Sequence, residues 1–497
     1  MTAKAVSTRG LLVSIEIKDL PCTQIYQSTD FKYDILMVKT TTKPVPAVKR
    51  KGLIGNLRKF RENPLNYMVA CKAECGDTFT TDVIVRKLFV TSNPEFMRHV
   101  LQTNNKNYIK DISYRQLGLA LGNGLLVNEG ESWMRQRRLA QPAFYKKRLE
   151  GLFNTMVNTA ERFFDNDFDK HCSNSDSFNI TPEMNIVTSD IALDTLLGGN
   201  RYGENRDIQD TIKEAQQYIV RRIRYPHTIP WMHLNGTHRR FQNDIKRFDN
   251  VIYQVLADYR KSDEDDNHLL SMLLEARDED TGETMSDQQL RDELITIYVA
   301  GHETSANALS WTWYALTQNP DVYQKLKDEV RTVLGNRRPT IEDLRTLPYT
   351  RRVMEESMRM YPPAWAMGRE ALNEDEAVGY RIPKGQIIFL SIYNIHHDTG
   401  IWKDPQRFDP ERFTPERVKA RPRGVYMPFG LGPRMCIGNN FALMEIQLLI
   451  AMMVQRYDFE LDENHLVEPE PMVTLRPKNG VKVRVKKVPQ QLIVNGQ

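Results

Sequence analysis

The sequence predicts a mainly α-helical fold with small β-sheets, arranged as a single large domain. Apolar residues recur at helical spacing over long segments, and the longest runs from Ser286 to about Thr317. Only short stretches are rich enough in β-branched residues for strands: 78–91, 379–391 and 481–488. No linker divides the chain, although 497 residues would allow roughly three domains.

The composition is that of an ordinary globular protein. Hydrophobic residues make up 40% and charged residues 27%, which is enough for a large core. A net charge of +4 is too small to predict nucleic-acid binding, which needs basic residues clustered on one face. The five cysteines form no even framework, so the sequence favours a reducing compartment.

The N-terminal region lacks an apolar run near 18 residues. We therefore expect no signal peptide and no transmembrane anchor, and a cytoplasmic location with peripheral membrane contact left open. Residues 1–43 are predicted to be an extension outside the catalytic domain, with Met37 as an alternative start. The catalytic domain is expected over residues 44–488, and residues 489–497 form a tail.

Helix signals order the second half of the chain. Ser286 with Gln289 has the pattern of a capping box at the start of the long helix, and Asn319-Pro320 ends it. A second amphipathic helix follows up to Gly335. The acidic runs 263–266 and 278–283, which precede the long helix, are predicted to be solvated connections.

One cysteine lies in a glycine-rich turn, FGLGPRMCIG, from Phe429 to Gly438. Gly430, Gly432 and Gly438 permit backbone conformations closed to residues with a Cβ, so the chain can reverse tightly and approach a flat cofactor. Cys436 would then project from the turn. The alternative is a buried structural cysteine, the usual fate of an isolated one.

The segment after this turn, Asn439 to Gln455, is apolar at helical spacing and predicts a largely buried helix. Its N-terminus would lie beside the sulfur of Cys436, and Arg434 adds positive charge two residues away. Both features favour the thiolate over the thiol. The turn therefore predicts a metal ligand.

The long helix carries the segment AGHETSANALSW. Gly301 costs roughly 1 kcal/mol relative to Ala inside a helix, and Thr304 can bond back to a carbonyl and bend the axis. Both are tolerable where a ligand approaches the backbone. Glu303 beside Thr304 supplies an acid and an alcohol, whereas His302 is interpreted as a packing residue.

The cysteine turn resembles the haem-binding loop of the cytochrome P450 family and matches F-G-x-G-x-R-x-C-x-G at every fixed position. The resemblance covers about residues 44–488. It implies a fold that holds haem b between the long distal helix and the cysteine-loop helix. Cys436 would be the axial iron ligand, with Phe429 and Gly438 beside the haem, and a thiolate ligand favours O–O cleavage. Thr304 would hold dioxygen while Glu303 relays protons.

The same resemblance implies two further groups of residues. Trp133 and Arg137, four residues apart on one helix, together with Arg369 and Arg434, would bind the haem propionates. Glu356, Arg359 and Arg412 match the family's buried Glu, Arg, Arg cluster, which supports the cysteine loop and has a structural rather than catalytic role.

Basic residues cluster along the helix of Trp133 and just beyond it: Arg135, Arg138, Lys146, Lys147 and Arg148. They could steer an acidic electron-transfer protein into place, or they could form an ordinary solvated face.

The predicted function is a haem-thiolate monooxygenase that uses O2 to hydroxylate or epoxidise a lipophilic substrate of fatty acid, terpenoid or carotenoid type. Electrons would come from a ferredoxin, a flavodoxin or a reductase, because no flavin or nicotinamide fingerprint is present. The alternatives are a peroxide-using peroxygenase and a non-enzymatic haem-thiolate sensor. By position, the substrate pocket is expected near residues 114–123, 218–231, 364–367 and 472–474.

Overall fold

The computed structural model describes residues 3–6, 12–15, 43–49, 56–83, 86–173, 176–198, 205–261 and 268–489. The residues from 43 onward form one compact unit, and residues 1–42 form a separate small unit. Met37, the acidic run 263–266 and residues 490–497 lie outside the described residues.

Helices make up most of the described chain, as predicted. They are α1 (Leu57–Glu62), α2 (Pro64–Cys75), α3 (Pro94–Arg98), α4 (Ile112–Leu121), α5 (Gly130–Ala140), α6 (Lys146–Phe163), α7 (Ile180–Leu197), α8 (Asn205–Arg224), α9 (Ile229–Leu234), α10 (Thr237–Tyr259), α11 (Leu269–Glu275), α12 (Asp287–Gln318), α13 (Pro320–Leu334), α14 (Asp343–Thr346), α15 (Pro348–Met360), α16 (Ile392–His396), α17 (Pro415–Ala420) and α18 (Asn439–Arg456).

The strands are short. They are β1 (Ala3–Val6), β2 (Leu12–Ile15), β3 (Thr78–Val83), β4 (Arg86–Thr91), β5 (Tyr108–Lys110), β6 (Phe178–Asn179), β7 (Ala366–Ala371), β8 (Asp375–Ala377), β9 (Tyr380–Ile382), β10 (Ile387–Ser391), β11 (Tyr457–Leu461), β12 (Pro469–Pro471), β13 (Leu475–Pro477) and β14 (Lys482–Lys487).

The largest sheet has the strand order β3-β4-β10-β7-β5, in which β10 runs parallel to β4 and antiparallel to β7. A second sheet has the order β11-β14-β6. Three antiparallel pairs complete the set: β1 with β2, β8 with β9, and β12 with β13. All three predicted strand regions contain strands, so the mainly α class with small sheets is confirmed.

Helix α12 is the longest element and runs through the main core. The Ser286 hydroxyl accepts a hydrogen bond from the Gln289 amide at 3.3 Å, and Pro320 opens the next helix, as the cap signals predicted. Trp311 and Trp313 of α12 are fully buried, and helices α7, α15 and α18 pack against it. The core thus holds the helix that carries Gly301 to Thr304 between α7 and the helix that follows Cys436.

None of the helices in the described ranges is both long enough and apolar enough to cross a bilayer.

Candidate active site

The turn before α18 is closed by its own backbone. The Cys436 amide donates to the Phe429 carbonyl at 2.9 Å, and Phe429 packs against the main core. Gly430 and Gly432 have φ of 76° and 73°, and a Cβ on Gly432 would lie 2.0 Å from the Leu101 carbonyl oxygen. The predicted need for glycine is therefore confirmed at these two positions, for backbone strain and, at Gly432, also for space.

Gly438 does not need the conformational freedom that the sequence suggested for it. Its φ of −88° and ψ of 16° suit any residue, and an added Cβ would make only an ordinary contact, 3.8 Å from Phe144. That prediction was wrong, because Gly438 is the N-cap of α18 and has a negative φ.

The thiol of Cys436 is accessible on one side, yet protein surrounds it closely enough for burial to raise its pKa. The Gly438 amide and the Arg137 guanidinium oppose this shift in pKa. The net direction is opposite to the predicted preference for a thiolate, and the cation that acts on the sulfur is Arg137 rather than Arg434. A bound metal removes this proton outright, because coordination favours the thiolate.

Arg137 also fixes the turn mechanically. Its Nη1 donates to the Met435 carbonyl at 2.9 Å, one residue before Cys436. Because Arg137 lies on α5, this bond ties the cysteine turn to the helix that carries Trp133. The predicted pair of Trp133 and Arg137 therefore reaches the turn from one helix.

Arg434 stacks on Trp133. Its guanidinium carbon lies 3.5 Å from the centroid of the indole ring, and its Nη1 donates to the Asn128 carbonyl at 2.9 Å. It also pairs with Glu129, which precedes α5. Burial lowers the pKa of Arg434 to about 10, while Glu129 opposes that shift.

Two further cations lie beside Arg434. Arg369 on β7 is 6% exposed and donates to the Gly368 carbonyl at 2.7 Å. Lys110, at the end of β5, is 8% exposed, and burial lowers its pKa to about 7, with Arg434 and Arg369 adding to the shift. No local pattern in the sequence points to Lys110, because the pairing of β5 with β7 brings it opposite Arg369.

This arrangement fits a ligand with carboxylates. Within the described part of the chain, Lys110, Arg137 and Arg369 form no ion pair, and only Arg434 has a carboxylate partner, Glu129. Three buried or half-buried cations without paired charge favour an anionic group among them. The residues present therefore fit the propionates of the haem that the sequence resemblance implies.

The segment of α12 around Gly301 leaves room for a ligand at its backbone. A Cβ added at Gly301 would meet no atom within 4 Å. The Thr304 hydroxyl donates to the Ala300 carbonyl at 2.8 Å, so the predicted back-bond is present. Gly301 and Thr304 thus combine open space with a hydroxyl three residues further along the helix.

Glu303 is held by Thr474, which belongs to a predicted pocket segment, and by Gln216, which the sequence did not identify. The Gln216 amide of α8 donates to Glu303 Oε2 at 2.6 Å, and the Thr474 hydroxyl donates to Oε1 at 2.8 Å. Thr474 in turn accepts from the Asn307 amide at 3.1 Å. The predicted pocket segment 472–474 therefore reaches the acid. Gln216 lies just before the predicted segment 218–231, and no local pattern marks it.

His302 is a packing residue, as interpreted from the sequence. It is 7% exposed, its Nδ1 bonds the Tyr298 carbonyl at 2.9 Å, and its ring stacks on that of Tyr298. Burial lowers the pKa of His302, which favours the neutral ring.

The cluster of Glu356, Arg359 and Arg412 forms as the resemblance implied. Arg359 reaches both carboxylate oxygens of Glu356, at 2.7 and 2.8 Å, and Arg412 Nε lies 3.2 Å from Oε1. Glu356 and Arg359 are fully buried. Arg359 also donates to the His396 carbonyl at 2.8 Å. The charges join α15 to the segments around 396 and 409–412.

The basic face on α5 is partly neutralised. Arg138 pairs with Asp278 at 3.2 Å and with Asp280 at 2.8 Å, and Arg135 pairs with Glu283 at 2.9 Å. The run 278–283 is therefore not simply a solvated connection, because Asp278 is only 3% exposed. The pairing leaves less positive charge for the predicted docking of an acidic partner.

Comparison with known proteins finds relatives that cover most of the chain. The family model described as cytochrome P450 matches residues 45–485. A protein named cytochrome P450 132 from Mycobacterium tuberculosis is 34% identical over 416 residues, which cover 80% of this chain and 87% of that protein. Cyclooctatin synthase from Streptomyces melanosporofaciens is 31% identical, with 85% and 91% covered. Pentalenene oxygenase from Streptomyces avermitilis is 29% identical, with 87% and 95% covered.

Proposed function

Because the chain belongs to the cytochrome P450 family and is a monooxygenase of that family, we propose that its substrate is a lipophilic small molecule of terpenoid type. The names of two relatives, cyclooctatin synthase and pentalenene oxygenase, support this class. Fatty acids and carotenoids are the other lipophilic candidates that the sequence left open.

The proposed roles follow from the contacts of each residue. Cys436 would be the axial ligand, Arg137 would fix its turn, and Arg369 and Arg434 would bind the propionates, with Trp133 supporting Arg434. When bound, haem supplies the reductive activation of O2. We add Lys110 to the residues that would bind the propionates, because it is buried beside Arg434.

Proton supply is the proposed task of Glu303 and Thr304. Glu303 is anchored by Gln216 and Thr474, so its carboxyl has a defined position next to Thr304 in the chain. This anchored acid is the observation that carries the proposal, because a sensor or a peroxide-using enzyme needs no proton delivery to dioxygen.

The first experiment measures products from 18O2 and a panel of terpenes and fatty acids, with NAD(P)H and a ferredoxin or flavodoxin and its reductase. We expect one labelled oxygen atom in a terpenoid product. Products formed only with hydrogen peroxide would identify the peroxygenase alternative, and haem binding without any product would identify the sensor alternative.

The second experiment tests the residues. Thr304→Ala should divert reducing equivalents into peroxide or water while haem content stays normal. Thr317→Ala is the matched control, since its hydroxyl makes the same bond to the carbonyl four residues back, at 2.8 Å, far along α12. Equal coupling in the two variants would contradict the role of Thr304. Cys436→Ser should abolish the red-shifted band of the reduced carbon monoxide complex.

A further inference from the structure

Helix α9 presents two large hydrophobic side chains to solvent. Trp231 is 61% exposed and Leu234 is 80% exposed, and they lie three residues apart, so they share one face of the helix. Tyr225, which precedes α9, is 39% exposed. A single exposed hydrophobic side chain needs no explanation, but a tryptophan and a leucine that project from the same turn form a surface typical of an interaction site.

The packing of α9 fixes this exposure. Met232, on another face of the helix, is fully buried in a cluster with Tyr218 of α8 and Phe241 of α10. The rings of Tyr218 and Phe241 stack with their centroids 4.2 Å apart. Because Met232 anchors α9 against α8 and α10, Trp231 and Leu234 are held facing away from that cluster.

The chain around α9 is strongly basic. Residues 221–243 contain five arginines, three histidines and no aspartate or glutamate. With neutral histidines this segment carries a charge of +5, whereas the whole chain carries +4. Arg222 and Arg224 donate to uncharged oxygens, those of the Gln116 side chain and the Pro471 carbonyl. The three exposed arginines are Arg221, Arg239 and Arg240.

Neighbouring segments extend the same combination of charge and hydrophobic surface. The guanidinium carbon of Arg61, on α1, lies 5.0 Å from the centroid of the Tyr225 ring. Val473, two residues after the Pro471 carbonyl that binds Arg224, is 44% exposed. We use the name α9 patch for the exposed side chains of the segment itself, which are Arg221, Tyr225, Trp231, Leu234, Arg239 and Arg240.

This combination favours the surface of a bilayer that contains anionic lipid. A tryptophan ring suits the headgroup region because it is apolar with one polar N–H, and arginines bind lipid phosphates. A second copy of the chain fits less well, because a two-fold contact through the patch would bring two segments of charge +5 together. Helix α9 has six residues, so it can lie in the interface but cannot span it.

We propose that the α9 patch docks this protein on an anionic phospholipid surface, with Trp231 and Leu234 inserted at headgroup level and the arginines on the phosphates. The α9 patch lies on different elements from the basic face of α5, whose Arg135 and Arg138 are paired with acids. Docking needs neither substrate nor turnover. Its failure is therefore distinguishable from failure of the proposed function.

Sedimentation of the purified haem protein with vesicles tests the docking. We expect binding to vesicles of phosphatidylcholine mixed with phosphatidylglycerol, and at least about tenfold weaker binding to phosphatidylcholine alone. A rise in salt concentration should weaken binding to the mixed vesicles, because it screens the arginines. A protein that stays in the supernatant with both kinds of vesicle overturns the proposal.

Variants that load haem like the wild type locate the contact. Trp231→Ser combined with Leu234→Ser should lower the partition coefficient for the mixed vesicles at least about tenfold, because two inserted side chains are lost. Arg239→Gln combined with Arg240→Gln should lower it about fivefold for each charge removed.

Two controls separate the α9 patch from general hydrophobicity and net charge. Leu466 is 70% exposed, but residues 462–470 contain four acids and no lysine or arginine, so Leu466→Ser should leave binding unchanged. Lys419→Gln combined with Arg423→Gln removes two exposed cations elsewhere and should weaken binding much less than the arginine pair of the patch. Equal losses in the patch and control variants would overturn the assignment to α9.

Tryptophan fluorescence reports insertion directly, because Trp231 is exposed and the other five tryptophans are each at most 9% exposed. Mixed vesicles should shift the emission to shorter wavelength, brominated lipids should quench it, and Trp231→Phe should remove both changes. If the wild type binds vesicles with neither change, another surface makes the contact and the proposal is wrong. Dimers in solution that Trp231→Ser dissociates, without binding to vesicles, would instead make the patch an interface between copies.

Discussion

Glu445 provides a quantitative test of the buried core between α12 and α18. Its side chain is almost completely buried, and both carboxyl oxygens lack a hydrogen-bond partner among the described residues, as does the hydroxyl of Ser305 on α12. Burial raises the pKa of Glu445 to about 8; the nearby Ser305 hydroxyl opposes the shift, although it lies outside hydrogen-bond geometry. The group should therefore be neutral in the native protein at pH 7.

The magnitude follows from linkage between protonation and folding. The unfolded carboxyl has an ordinary pKa of 4.5, so between pH 4.5 and about pH 8 the native state binds one more proton than the unfolded state. The contribution of Glu445 to the free energy of unfolding is therefore fully present below pH 4.5. It falls by about 1.4 kcal/mol per pH unit as the pH rises from 4.5 towards 8. At pH 7 the accumulated loss is about 3 kcal/mol relative to pH 4.5.

The assay is urea unfolding of the haem protein at several values between pH 5 and pH 7.5, followed by haem absorbance and tryptophan fluorescence. In the wild type, Glu445 should contribute about 1.4 kcal/mol per pH unit to the slope of the free energy of unfolding against pH. Glu445→Gln should remove most of that contribution. Glu463→Gln is the control, because Glu463 is exposed. A slope for Glu445→Gln that matches the wild type would refute a protonated Glu445.

Two other perturbations have clear expectations. Glu356→Gln should lower the free energy of unfolding by about 3–5 kcal/mol, because it leaves two buried guanidiniums without their charge partner; Glu355→Gln, which removes a partly exposed pair, should cost at most about 1 kcal/mol in the same urea titration. Gln216→Leu should lower product formed per NAD(P)H several-fold, since Glu303 loses a donor at 2.6 Å, whereas the exposed Gln217→Leu should not. Equal coupling in the two Gln variants would show that Gln216 does not position the acid.

The helices of the second half of the chain could be predicted because their boundaries are local. Ser286 caps α12 and Pro320 starts α13, while the apolar pattern after Gly438 extends over α18. The strand regions were also found. Their pairing could not be predicted. Strand β10 lies between β4 and β7, and its residues are about three hundred positions from their partners in β4.

By itself, the sequence determined the cysteine turn, the acid and alcohol on the long helix, and the family. Each depends on residues close together in the chain, whose backbone needs can be read directly, as at Gly430 and Gly432. The mistaken requirement at Gly438 shows the limit of that reasoning, because the start of α18 set its conformation.

Only the tertiary structure decided which charges act on the site. Arg137 rather than Arg434 is the cation that acts on the sulfur of Cys436, because Arg434 forms an ion pair with Glu129. Lys110 and Glu293, far apart in the chain, meet at Leu125. The physical reason is that burial and neighbouring charge set protonation, and both depend on which distant segments the fold packs together.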